Sequence, residues 1–265
     1  MAQMLWPSSI REINDLQEAE KLAIYRTILP DWLFTHYGVD RQTLTVDGQC
    51  VVWFRCPPGS RVLEVTVRRR ATDLDPMLYL NMADTFNYQL LVLLMVVNNP
   101  DAPRYNIDVD QEGNSTQLGT TSRNLAAEAA ALRAGLAPGQ VRAGLRVFGR
   151  AVPVFEAFIE RMGHDVFFIE PLAYHNAVLF ERYGFSYVRG HKEMVWIHQE
   201  FQPGGELHQK LTPDNIFRPP DAWRRVRSRS WAIHDGILGH PFTGFQMYKR
   251  IGHHSSVNTF PDGHW

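Results

Sequence analysis

Residues 140–197 read QVRAGLRVFGRAVPVFEAFIERMGHDVFFIEPLAYHNAVLFERYGFSYVRGHKEMVWI, and this stretch determines the fold prediction. Apolar side chains recur at helical spacing over residues 141–162, which predicts one long amphipathic helix. The run at 165–172 is apolar except for one acid, as is typical of a central strand buried on both faces. Residues 174–183 predict a short helix. The order helix, buried strand, helix, strand indicates an α/β protein.

The flanking segments extend this prediction to a sheet. Residues 185–188 and 193–197 predict a closing strand pair. Ser9 and Glu12 form a capping-box pattern at the start of a first helix, and Ser122 or Thr121 is a suitable cap for an alanine-rich helix at 123–133. Residues 86–97 are apolar on nearly all sides, so helix and strand both remain open there. The other predicted strands are at residues 51–54, 61–68, 77–82 and 105–109.

The predicted fold class is α/β (α+β), with a mixed central sheet flanked by helices and an irregular C-terminal extension. Residues 1–200 are predicted to form the domain, and residues 201–265 a loop-rich extension that contains many His and Arg residues and packs on it. Apolar residues make up 45% of the 265 and charged residues 21%, which indicates a globular chain. The chain has 27 Lys and Arg residues against 28 Asp and Glu residues. The net charge therefore gives no broad positive electrostatic field that would attract nucleic acid or an anionic membrane.

The cysteines and the apolar runs bear on localisation. Cys50 and Cys56 are the only cysteines, and their spacing fits neither a CxxC metal site nor a redox pair. The amino terminus lacks the basic and apolar regions of a signal peptide, and the longest apolar run, residues 90–97, is too short to cross a bilayer as a helix. We therefore expect a soluble, cytoplasmic protein without a membrane span. An oligomer is compatible with the sequence.

Two short motifs carry a family resemblance. Residues 146–151, RVFGRA, satisfy an Arg-x-x-Gly-x-Ala pattern, and residues 180–185, FERYGF, follow a buried strand. Together they resemble the acyl-CoA motif and the late Tyr-Glu-Lys-Leu-Gly-Phe motif of the GNAT acyltransferases. The resemblance implies a GNAT-like fold and an acyl-CoA cofactor bound by Arg146, Gly149 and Arg150. It also implies transfer of the acyl group from a CoA-type thioester to an amine of a small-molecule substrate.

Two features depart from the family pattern. The apolar period over residues 141–162 predicts that Arg146 and Gly149 lie within a helix, where backbone amides are already used by intrahelical bonds. The tyrosine that many GNAT enzymes use as general acid corresponds to Phe180, which has no transferable proton. These departures favour other residues for the chemistry.

Glu170 and His175 are the predicted catalytic residues. Glu170 stands alone as an acid in the apolar run FFIEPL, where a buried carboxylate is paired, hydrogen-bonded or raised in pKa. His175 begins the following helix, at the carboxyl end of the same predicted strand, where open α/β sheets place their sites. Either residue is a candidate base. The structural alternative pairs Glu170 with a core arginine and makes His175 a helix cap.

A metal-dependent enzyme is the second hypothesis. His234 and His240, with His175 and Glu170, would supply the two-histidine, one-carboxylate ligation of non-haem iron or catalytic zinc. No HExxH, ExxH or CxxC pattern accompanies them, so ordinary structural histidines are the alternative. A third hypothesis is a non-catalytic binding or assembly protein that retains a GNAT-like fold.

Overall fold

The computed structural model describes residues 6–116 and 122–265. The chain forms two compact units, each assembled from segments distant in sequence. Unit 1 comprises Met1–Asp101, Gly144–Glu170 and Tyr248–His253, and unit 2 comprises Ala102–Ala143, Pro171–Met247 and His254–Trp265. The predicted division at residue 200 is a different one, and it stays a prediction.

The helices and strands follow one another in a mixed order. The α-helices are α1 Ile10–Asn14, α2 Glu18–Tyr25, α3 Asp31–Tyr37, α4 Leu125–Arg133, α5 Phe148–Arg161, α6 Tyr174–Arg182, α7 His191–Glu200, α8 Glu206–Gln209 and α9 Val226–His234. The strands are β1 Thr45–Val46, β2 Gln49–Cys50, β3 Val52–Arg55, β4 Val62–Val67, β5 Leu78–Asp84, β6 Leu90–Val97, β7 Val166–Ile169, β8 Ser186–Arg189 and β9 Gln246–Arg250. Short 3-10 helices lie at Arg26–Ile28 and Ala222–Arg224.

The main sheet of the described residues is mixed. Its strand order is β3-β4-β5-β6-β7-β9-β8, and β1 and β2 form a separate hairpin. The pairs from β3 to β6 are antiparallel, whereas β6 and β7 run parallel. This confirms the predicted α+β class with a mixed sheet flanked by helices. It also decides the open question at residues 86–97, where β6 is a strand.

Unit 1 has a sheet with one well-buried face. Residues alternate between buried and partly buried along β4 and β5, as the pleat requires when one face packs on a core. The predicted cap of α1 is confirmed, since Ser9 Oγ accepts a hydrogen bond from the Glu12 amide at 3.1 Å. The Asp84 carboxylate strengthens this cap because it accepts hydrogen bonds from the backbone amides of Ile10 and Arg11, both at 2.9 Å. The start of α1 is thus attached to the end of β5.

Aromatic rings connect α5 with the rest of unit 1. Phe158 is buried, and its ring centroid lies 5.7 Å from that of Trp6 and 6.5 Å from that of Tyr25. Phe155, one turn earlier, meets Phe167 of β7 edge-on at 5.1 Å. The apolar face that predicted α5 therefore packs against both the first helices and the sheet.

Unit 2 has its own core around α9. Trp231 packs on Phe217 with ring centroids 5.4 Å apart, and its indole nitrogen donates to the Leu136 carbonyl at 2.8 Å. Phe180 of the FERYGF motif is a core residue, 7% exposed. Gly184 of the same motif has φ +80°, and an added Cβ would lie 2.8 Å from the Cα of His254. Only glycine satisfies both requirements at that turn.

Two predicted strands are wrong. Residues 193–197 belong to α7, whose buried Met194 and Ile197 recur at helical spacing, and β9 from a distant segment pairs into the sheet instead. The predicted strand at residues 105–109 is irregular backbone, with only an isolated bridge from Val109 to Ser115. Short apolar segments of this kind fit either periodicity, and the tertiary contacts decide between them.

The predicted helix at residues 141–162 is also wrong over its first seven residues, 141–147. Helix α5 begins at Phe148, and the preceding Arg146 has φ +57°, in the left-handed region that stops a right-handed helix. Pro153 lies inside α5. In unit 2, α4 is capped by the side chain of Asn124, which accepts the Ala127 amide. Of the two predicted caps, Ser122 is not the N-cap of this helix, and Thr121 lies outside the described residues.

No helix in the described part of the chain has both the length and the apolar composition needed to cross a membrane.

Candidate functional site

The carboxyl half of β6 has a strand on one side only. Strands β6 and β7 pair at Leu91 with Phe168 and at Val92 with Ile169. Strand β7 ends at Ile169, whereas β6 continues to Val97. Among the described residues, no strand pairs with residues 93–97 on the side away from β5. An internal strand of the sheet thus leaves five residues of backbone edge open.

The open half of β6 is apolar and partly exposed. Its sequence, residues 93–97, is LLMVV, and the side chains of Leu93 and Leu94 are 36% and 38% exposed. Opposite this point the register of β5 with β6 shifts between Asn81 and Met82. Such bulges locally increase strand twist and re-aim side chains beside binding sites. Leu93 and Leu94 are thus available for contact with a bound molecule.

The open half of β6 ends beside the loop that leads into α5. A Cβ added at Gly144 would lie 3.2 Å from the carbonyl oxygen of Val97, so the loop backbone closely approaches the last residue of the strand. After the left-handed Arg146, α5 starts at Phe148 without a side-chain cap from its N-cap residue Val147. The start of the helix and the open strand edge therefore lie next to each other in unit 1.

The three predicted cofactor residues lie at this helix start. Arg146, Gly149 and Arg150 are all exposed. Neither guanidinium makes an ion pair or hydrogen bond with another described residue, so both are available to an anion. The positive end of the helix dipole adds to their charge. The RVFGRA motif spans the end of a loop and the first turn of α5. The amides of Arg150 and Ala151 already donate to the Val147 carbonyl, so the amides left over for an anion are those before Arg150.

Glu170 follows the last residue of β7, at the point where the pairing with β6 ends. It is partly buried, and its carboxylate makes no hydrogen bond or ion pair with a described residue. The proposed structural alternative, a pairing with a core arginine, is therefore not observed in the described part of the chain. The open strand, the helix start and Glu170 all belong to unit 1.

His175 lies in unit 2 and is buried on α6. Its Nδ1 atom is 2.9 Å from Oγ of Ser230 on α9. Burial, with a smaller contribution from the charge of Arg227, lowers the pKa of His175 from 6.5 to about 3. At neutral pH the imidazole is uncharged and is a hydrogen-bond partner of Ser230. The structure therefore places Glu170 and His175 in different units.

The lowered pKa of His175 predicts a loss of stability in weak acid. The unfolded chain takes up a proton near pH 6.5, whereas folded His175 does so only near pH 3. Stability is therefore present above pH 6.5 and declines as the pH falls towards 3. Chemical denaturation across this range should show a shallower decline for His175→Gln than for the wild type. An equal decline in both proteins would show that His175 is not the group whose lowered pKa causes the loss of stability.

His234 and His240 both line a pocket of about 340 Å³ in unit 2. Leu172, Tyr174, Ser230 and Phe242 are among the other residues of its wall. His240 is half-exposed, and its Nε2 atom lies 3.8 Å from a carboxylate oxygen of Glu193. The two histidines predicted as metal ligands are thus brought to one pocket. No group of three or more His, Cys, Asp or Glu side chains within residues 6–116 and 122–265 is arranged to hold a metal ion.

His234 is held by a charged network that the sequence did not reveal. Its Nε2 atom lies 2.9 Å from Glu128 Oε1, and Arg123 bonds both Glu128 and Asp235. Arg218 donates to the same Asp235 at 2.7 Å. Burial alone raises the pKa of Glu128, but the hydrogen bonds from His234 and Arg123 outweigh it and hold the pKa below its usual value. His234 and Glu128 are more than 100 residues apart, so no local pattern pairs them.

Comparison with known protein families, curated proteins and solved structures gave no match to this chain.

Proposed function

We propose that the chain is an acyltransferase that moves an acyl group from a CoA-type thioester to an amine of a small molecule, using a site in unit 1. The observation that carries the proposal is the open edge of β6, residues 93–97, beside the start of α5. A cofactor with an extended arm and an anionic end can place the arm on the open strand edge and the anionic end at the helix start.

The phosphates would bind at the start of α5. Helix amino termini bind anions through free backbone amides and the helix dipole. Arg146 and Arg150 would add two charge-assisted hydrogen bonds, and arginine is well suited to phosphate because its guanidinium is planar and binds in a bidentate manner. Gly149 leaves room for a phosphate to approach the backbone. These are the residues that the GNAT resemblance implies for the cofactor.

The pantetheine arm would lie along β6. It is extended and carries two amide groups, so it can bond to an open strand edge as an added strand does. The partly exposed Leu93 and Leu94 provide apolar contacts at the same place. Since Gly144 approaches Val97, phosphates at α5 and an arm on β6 would form one continuous site.

Glu170 would then be the general base. It stands at the point where β6 and β7 stop pairing, the end of the open edge remote from α5. Its carboxylate would accept a proton from the attacking amine, while the new C–N bond forms at the thioester carbon and the C–S bond breaks with release of the thiolate. Phe180 is buried in unit 2 and supplies no proton, so the thiolate would take its proton from solvent.

Calorimetric titration with acetyl-CoA tests the proposal. We expect binding and a rise in melting temperature through mass action. Gly144→Val should weaken the binding by roughly tenfold or more, because its side chain would collide with the Val97 carbonyl and displace the loop. Ala157→Val, on an exposed position of α5, is the matched control and should bind normally.

Absence of binding at millimolar acetyl-CoA would contradict the proposal. If acetyl-CoA binds, release of free thiol should be followed with a panel of amines for the wild type and for Glu170→Gln. The glutamine variant should retain the affinity and lose at least about 100-fold in rate, the usual contribution of a general base. Equal rates for the two proteins would exclude Glu170 as the base.

A further inference from the structure

The pocket of unit 2 has the size and composition of a small-molecule site, independently of the function proposed for unit 1. Its volume of about 340 Å³ lies within the usual range for ligand pockets. Leu172, Ile233 and Phe242 make part of its wall apolar, and Ser230 and His234 add polar groups. The polar groups decide which class of molecule fits.

Helix α6 starts at the pocket. Leu172, Ala173 and Tyr174 line the wall, and α6 begins at Tyr174 with Ala173 as its N-cap. Alanine has no side-chain acceptor, so the helix has no side-chain cap. The first amides and the positive end of the helix dipole therefore favour a negative group at this end of the pocket.

A buried arginine contacts Tyr174, a residue of the same wall. Arg229 is fully buried, and its Nη1 atom is 3.4 Å from the hydroxyl of Tyr174. Its other contacts are uncharged: the Trp223 carbonyl, His198 and the rings of Phe201 and Phe260. Among the described residues, no carboxylate lies within ion-pair distance of this guanidinium. A buried cation without a counter-ion favours an anion nearby.

His234 provides a hydrogen-bond acceptor. Its side chain is 6% exposed, and its Nδ1 atom is buried without a partner in the described part of the chain. In the tautomer that donates its Nε2 proton to the Glu128 carboxylate, Nδ1 carries the lone pair of the ring. His234 is one of the residues that line the pocket, so its ring borders the space that a ligand would fill. An unsatisfied buried acceptor calls for an N–H or O–H of the bound molecule.

We infer that this pocket binds a small carboxylic acid that carries an amino or hydroxyl group beside the carboxylate and an aliphatic side chain. The carboxylate lies at the start of α6, the amino or hydroxyl hydrogen bonds to His234 Nδ1, and the side chain contacts the apolar wall.

A set of matched molecules tests the inference by nitrogen-15 NMR of labelled histidine. Leucine and 2-hydroxy-4-methylpentanoate carry both polar groups, 4-methylpentanoate lacks the donor, and leucinol lacks the carboxylate. The first two, at millimolar concentration, should shift the His234 resonance, which is assigned by its loss in His234→Gln. The other two should bind at least about tenfold more weakly, since each lacks one hydrogen bond involving a charged or buried group.

Two variants complete the test. Leu172→Trp should abolish binding by filling the pocket, and because Leu172 is about half-exposed the fold should tolerate the change. His36→Gln, an exposed histidine of unit 1, should bind like the wild type. The inference is overturned if neither complete acid shifts the His234 resonance, or if Leu172→Trp binds them with unchanged affinity. Since no CoA compound is used, the outcome is distinguishable from failure of the function proposed for unit 1.

Discussion

Arg146→Glu combined with Arg150→Glu is expected to weaken acetyl-CoA binding by at least about 100-fold, because two charge-assisted hydrogen bonds to phosphate are replaced by repulsion. Both side chains are exposed at the start of α5. Two negative charges near the positive end of a helix dipole do not destabilise the helix. The loss should therefore appear in calorimetric titration without a fall in melting temperature.

The matched control is Arg189→Glu combined with Arg250→Glu. Both arginines are exposed and neither belongs to α5 or to the loop before it, so the double variant changes the net charge of the protein by the same amount without altering the start of α5. It should bind acetyl-CoA within about threefold of the wild type at physiological ionic strength, where exposed charges are screened beyond about 8 Å. Equal weakening in the two double variants would show that net charge, and not the start of α5, governs the affinity.

Arg123→Leu is expected to lower the free energy of unfolding by about 1.5–3 kcal/mol at neutral pH, the usual net value of hydrogen bonds to charged groups, because Glu128 keeps His234 and Asp235 keeps Arg218 as partners. Arg123 bonds Glu128 and Asp235, and all three side chains are at most 13% exposed. Denaturant unfolding followed by circular dichroism measures the loss. Arg69→Leu breaks only the more exposed ion pair with Asp101 and should cost at most about 1 kcal/mol.

The pH dependence provides a second readout for Arg123→Leu. Burial alone raises the pKa of Asp235, but hydrogen bonds from Arg123 and Asn215 and the charge of Arg218 hold it below its ordinary 3.8. The pKa of Glu128 is likewise held below its ordinary 4.5. Lowered pKa values stabilise the fold above these ordinary values, and that stability is lost as the pH falls through the folded values. The difference in the free energy of unfolding between the wild type and Arg123→Leu should therefore become smaller in acid. If this difference in the free energy of unfolding were the same at all pH values, Arg123 would not be what holds the two pKa values low.

The wrong prediction of where α5 starts shows that apolar spacing alone does not determine the first residue of a helix. Val141, Leu145 and Phe148 have helical spacing, so the sequence predicted one helix through the RVFGRA motif. The left-handed backbone at Arg146 has no signal in the side-chain pattern, because arginine does not require that conformation as glycine often does. The motif therefore lies partly in the loop and partly in the first turn of α5, and only its first residues are outside the helix.

The sequence by itself determined the class of the fold, the first helix cap, the buried strand β7 and the helix α6. Each of these depends on neighbours within a few residues, through periodicity, capping or a left-handed glycine. Only the tertiary structure decided that β9 enters the sheet, that β6 has an open edge, and that Glu128 orients His234. These features join segments far apart in the chain, and the free energy that selects them comes from packing and charge pairing, to which no local pattern corresponds.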